Sequence, residues 1–162
     1  MAIVTTKSTA ITAADNKDKV DRRIARARLL TSTGFVNKAA ADNNTSVYRF
    51  ARIPSSAIVR SITINSDAAI TGGTAYQLAV YDQTSENAGA AIGNLTSFGA
   101  AVDLSTAGIK VLRPTAADTE KTLWQLLGQT AIDPGKLVDI VLVATTAGTT
   151  AANIQLDVHW TE

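Results

Sequence analysis

Cysteine is absent from the chain and histidine occurs once, as His159. Disulfides, thiolate metal centres and cysteine nucleophiles are therefore excluded, and the lack of cysteine is compatible with assembly in a reducing compartment. Aromatic residues make up only 5% and proline fills three positions. The core must then be built from Ile, Val, Leu and Ala, a composition suited to packed sheets. Neither sign of charge prevails, with 15 Lys and Arg against 14 Asp and Glu for a net charge of +1. No global field draws the chain to nucleic acid or to an anionic membrane, so any charged partner is met locally. Apolar runs are short as well: residues 1–4 precede Thr5, Thr6 and Lys7, well below the length of a secretory segment or a membrane span. The expectation is a soluble, unprocessed cytoplasmic product.

What the chain does have is two-residue periodicity. In residues 152–161, Ala152, Ile154, Leu156, Val158 and Trp160 alternate with Asn153, Gln155, Asp157, His159 and Thr161, the pattern of a half-buried strand. Residues 138–145 are apolar on both faces except for Asp139, as a central strand should be. Further strands are expected at about 25–36, at 47–53 before Pro54, at 58–65, at 74–82, at 101–105 and at 109–113 before Pro114, separated by clusters of Gly, Asn, Asp and Ser. Thr115 with Asp118 offers a helix start, and Leu123, Trp124, Leu126 and Leu127 offer its apolar side before Gly128. Trp124 and Trp160 are both expected in the core. Residues 83–100, rich in Gly, Ala, Asn and Ser, read as a long loop with room for one short strand. About eight strands and one short helix predict an all-β fold, an antiparallel jelly-roll-like β-sandwich. At 162 residues such a domain buries roughly two-thirds of its unfolded surface without staples.

Residues 1–24 have no sustained apolar period and are expected to form an extended N-terminal arm, leaving residues 25–162 as one sandwich domain. Lys17, Lys19, Arg22, Arg23, Arg26 and Arg28 make the densest basic stretch and are the candidate partner-binding residues. Asp15, Asp18 and Asp21 lie among them and weaken the field, so nucleic acid is not expected as a partner. Those aspartates lack the glycine and closing glutamate of a calcium loop, and Gly72, Gly73, Gly89 and Gly93 lack the Lys-Ser/Thr of a phosphate loop. Asp157 is the same-face neighbour of His159, but a triad also requires a nucleophile. The ordinary reading is a solvent-facing polar row. The expectation is a protein without catalytic centre, metal or cofactor.

Several segments carry a resemblance. They are Val47-Tyr48-Arg49-Phe50-Ala51-Arg52-Ile53-Pro54-Ser55, then Ala57-Ile58-Val59, and Ala75-Tyr76-Gln77-Leu78-Ala79-Val80-Tyr81-Asp82. In the second half come Ala101-Val102-Asp103-Leu104-Ser105, Leu123-Trp124-Gln125-Leu126-Leu127-Gly128, Asp133-Pro134-Gly135 and Val138-Asp139-Ile140. In that order the chain resembles the head decoration, or cement, proteins of tailed bacteriophages, over roughly residues 28–162. The resemblance implies a β-sandwich subunit on the outside of an icosahedral shell, present in the virion after assembly in the host cytoplasm. It implies a homo-oligomer, dimer or trimer, that braces the major capsid protein and carries no catalytic residues. The basic arm lies outside the resemblance; on its own chemistry it would dock on acidic surfaces of the shell or of a sister subunit. The alternative is a head-fibre or receptor- or glycan-binding module presenting residues 83–100 to a host surface.

Overall fold

The computed structural model describes residues 28–82 and 91–162. Their elements are β1 (Leu30–Lys38), β2 (Val47–Pro54), β3 (Ile58–Ser66), β4 (Ala75–Asp82), β5 (Ala91–Asn94), β6 (Gly108–Leu112), α1 (Leu123–Leu126), β7 (Leu137–Thr146) and β8 (Ala152–Thr161). The strands form two four-stranded sheets, ordered β1-β8-β3-β6 and β2-β7-β4-β5, and every ladder is antiparallel. Only β4 and β5 are successive strands of one sheet; each other connection crosses between the sheets. This is the jelly-roll winding, in which two sheets bury their inner faces against each other.

The inner faces follow from the alternation. Ala152, Ile154, Leu156, Val158 and Trp160 of β8 are all buried, with Ile62 and Ile64 of β3 beside them. Opposite lie Tyr76, Leu78 and Val80 of β4 and Ile140 and Leu142 of β7. Strands β7 and β8 each have a neighbour on both sides, as their length and apolar content require.

One glycine decides how the sandwich closes along the β1/β2 side. Strand β2 carries a bulge at Phe50, where its register with β7 shifts between Arg49 and Ala51. The extra residue pushes the Phe50 backbone over β1. A Cβ on Gly34 would stand 2.7 Å from Phe50 Cα and closer still to its carbonyl. Only hydrogen fits there.

Several expectations are corrected. Of the first expected strand, residues 25–27 lie outside the described residues, Arg28 and Leu29 precede the strand, and β1 runs from Leu30 to Lys38. Residues 101–105 form no strand: Val102 makes a single bridge to Tyr76, enough to pin a crossing segment. Thr115 opens only a 3₁₀ turn, Ala116–Asp118. The α-helix is one turn, started by Thr122, whose hydroxyl accepts from Gln125 N while the Gln125 side chain accepts from Thr122 N. This reciprocal capping box is what residues 115–122 concealed. Leu123, not Trp124, is the buried side chain of α1. Trp124 is half-buried, and its indole N–H donates to Ala131 O at 3.0 Å. Thr161, expected on the polar face, is buried. Within residues 83–100, the described part contains β5 and a 3₁₀ turn, Thr96–Phe98.

Candidate interaction surfaces

Of the six basic residues singled out in the sequence, Lys17, Lys19, Arg22, Arg23 and Arg26 lie outside the described residues. Arg28 is exposed and lies two residues before β1, at the outer edge of its sheet.

The loops joining β1 to β2, β3 to β4 and β7 to β8 meet at one end of the sandwich. They enclose an open cleft of about 600 Å³ whose lining includes Asp42, Asn43, Asn44, Thr71 and Thr149. Its floor is held by two buried polar groups. Lys38 is fully buried, and its ammonium donates to the carbonyls of Ala39, Gly148 and Thr150 at 2.9, 3.2 and 3.2 Å. All three of its protons have acceptors, so the cation is tolerated without a carboxylate beside it. Tyr76 is likewise fully buried and donates its hydroxyl to Ala147 O. Burial, with the Asp42 charge adding to it, pushes that hydroxyl up to about 12. Burial and the accepting Asp42 carboxylate also hold the Tyr48 hydroxyl far above its ordinary value. Gly148 completes the junction: its φ is +69°, and a Cβ there would meet Gly73 N and Thr71 O at 2.6 Å.

On the outer face of the β2-β7-β4-β5 sheet the bulge has a second effect. Arg49 and Arg52, three apart, would face opposite sides of a regular strand. With Phe50 extruded, both point outward and converge on Asp139 of β7. Arg49 Nη1 donates to Oδ2 at 2.7 Å, and Arg52 donates through Nε at 2.6 Å and Nη2 at 3.1 Å. Asp139 is 6% exposed at its side chain, Arg49 18% and Arg52 42%. Arg49 lies over the Tyr81 ring at 5.7 Å, while its Nε and Nη2 have no partner. Burial works to raise the Asp139 carboxyl, but the hydrogen bonds and charges of Arg52 and Arg49 outweigh it and hold the group below the ordinary carboxylate range. At the rim, Lys136 pairs with Asp82 and stands 6.0 Å from the Trp124 ring. The sequence reading noted Asp139 as the polar exception in β7 but missed its partners. The available signal was the pair of arginines three apart in a strand, a breach of period two.

The opposite outer face, on β1-β8-β3-β6, differs in kind. Register places Phe35, Gln155, Asn65 and Ile109 in one row across the four strands, and Thr33, Asp157, Thr63 and Val111 in the next. Asp157 is the one charge in these rows. His159 lies in a third row, its Nδ1 3.1 Å from Thr31 Oγ1, while Asp157 accepts from Gln155 Nε2 at 3.1 and 3.2 Å. The two groups suggested by the triad pattern thus have separate partners. Among the described residues no three His, Cys, Asp or Glu lie close enough to share a metal ion, and no helix is long and apolar enough to cross a membrane.

No protein-family model matches the sequence, and no curated protein does. Solved structures share its fold. A chain from the capsid of Ralstonia phage GP4 is similar at a TM-score of 0.60 with 12% identity, over 83% of this chain and 84% of that one. A chain from the capsid asymmetric unit of cyanophage Pam1 is similar at a TM-score of 0.50 with 17% identity, over 83% and 85%. At these identities it is the jelly-roll architecture that is held in common.

Proposed function

We propose that this chain is a phage structural protein that decorates the capsid, binding the outer surface of the major capsid protein shell in several copies and stabilising it. The observation that carries this reading is the jelly roll it has in common with a chain of the phage GP4 capsid across more than four-fifths of both chains. The surfaces described above support it. One outer face is locked by Arg49, Arg52 and Asp139, two rows of the other carry the single charge of Asp157, and many weak contacts of such faces add up through avidity. The protein works in the virion, after assembly in the host cytoplasm, as a homo-oligomer without enzymatic activity. The basic stretch Lys17, Lys19, Arg22, Arg23, Arg26 and Arg28 docks on acidic patches of the shell or of a sister subunit.

The glycan-binding alternative is less well supported. Sugars are held by groups of exposed aromatic faces; Tyr48 and Tyr76 are buried, Tyr81 lies under Arg49, and the exposed Phe35 has no second aromatic in its row. The test is cosedimentation of the purified chain with undecorated capsids. Saturable binding that raises the temperature at which shells rupture is the expected result. Absence of binding, together with sugar-specific signals on a glycan array, would replace this reading with the head-fibre one.

A further inference from the structure

The geometry points to the outer face of the β1-β8-β3-β6 sheet as the contact between two copies of this chain, related by a two-fold axis running parallel to the strands between β8 and β3. The apolar residues of this face stand at its two edges. Phe35 on β1 is 72% exposed, and Ile109 and Val111 on β6 are 69% and 56% exposed. They cannot cover each other, because the two edge strands are three strand spacings apart, ~14 Å. Between them Gln155, Asn65 and Thr63 form a polar strip.

A two-fold along the strands exchanges β1 with β6 and β8 with β3 while keeping each row at its own height. Phe35 of one copy then covers Ile109 of the second, and Thr33 meets Val111. Gln155 meets Asn65, amide to amide, each able to donate and to accept. Asp157 meets the Thr63 hydroxyl of the second copy and lies one strand spacing, ~4.8 Å, to the side of its own counterpart, a like-charge approach that keeps the association weak. An axis across the strands would instead leave Phe35 and Ile109 on their own sides. Self-complementarity of residue i with j and j with i is the mark of an isologous interface.

The area decides the strength. Three strands of nine or ten residues and one of five, ~4.8 Å apart, give a face of roughly 500 Å², so pairing removes on the order of 1,000 Å² from the two copies together, the lower end of what specific association needs. The dimer is thus a weak one, which the high local concentration on an assembling particle would complete. This gives a location to the homo-oligomer proposed above. Because its test uses no capsids, its failure leaves shell binding untouched.

The experiment is sedimentation equilibrium of the full chain from about 1 to about 200 µM, with circular dichroism to confirm folding of each variant. The expected result is a concentration-dependent monomer–dimer equilibrium that Phe35→Lys and Ile109→Glu each weaken by about 100-fold or more, since either change strikes the contact twice per dimer. Mixing the two variants restores dimer, because one Lys–Glu pair and one native Phe35–Ile109 contact then form. A monomer throughout the range overturns the proposal. So does a dimer indifferent to both substitutions, or a mixture that stays monomeric.

Discussion

Asp139→Ala tests the claim that the outer face of the β2-β7-β4-β5 sheet is held by an ion cluster rather than merely decorated by one. The carboxylate is almost wholly covered, and its removal leaves Arg49 with one weak bond, to Asp82 O at 3.3 Å, in addition to the two nitrogens already lacking partners. Stranding a buried cation in this way costs about 3–5 kcal/mol. For a chain of this length that corresponds to a fall in Tm of roughly 10 °C. Arg52→Ala should cost far less, since that guanidinium is the more exposed of the two and its loss strands no buried cation. Replacing the buried pair together, Arg49→Met with Asp139→Leu, should restore most of the loss, because no charge is then left uncompensated. Acid supplies an independent check. The Asp139 carboxyl titrates lower in the folded than in the unfolded chain, so its contribution is complete above the ordinary value of about 4 and is lost as pH falls toward the folded value. Urea unfolding at pH 7 and at pH 3 should show the wild-type advantage over Asp139→Asn shrinking in acid. A cost below about 1 kcal/mol for Asp139→Ala, or an advantage that does not change with pH, would refute the reasoning.

Other outcomes follow from single contacts. Lys38→Met keeps the volume but strips three carbonyls of their donor, and should cost about 3 kcal/mol in urea unfolding while speeding hydrogen exchange in residues 147–151. Gly34→Ala drives a methyl into the Phe50 backbone and should cost about 3 kcal/mol, although alanine would ordinarily improve on glycine within a strand; a neutral result would mean that the two sheets can part there. Thr122→Ala removes the capping box and should cost about 1 kcal/mol, read by thermal melting. Deleting residues 1–24 should leave a folded body, by circular dichroism, that occupies shells poorly; unchanged occupancy would remove the arm from the mechanism.

The alternation of β8 could be read residue by residue because one of its faces meets the core and the other does not, the circumstance in which period two is enforced. Strand β7 was legible for the opposite reason, being apolar on both faces. The elements that escaped were those set by tertiary contact. Val102 reads as part of a strand by composition, yet it finds only Tyr76 to pair with. The single turn of α1 is positioned by Leu123 N and Trp124 N donating to Ala57 O and Ser55 O, bonds to a corner more than 60 residues away that no local pattern announces. The Arg49–Asp139–Arg52 cluster depends on a bulge, and a bulge is invisible to any reading that assumes regular alternation. The basic stretch was visible as composition, but of its six residues only Arg28 lies among those described.

Strand β1 is zipped to β8 through nine consecutive residue pairs, and Gly34 is wedged beneath the Phe50 carbonyl. Tension applied upstream of Leu30 along the strand direction would load all these rungs together, in shear, instead of peeling them one after another. A tether fastened there would let go of whatever it holds before its own sheet came apart.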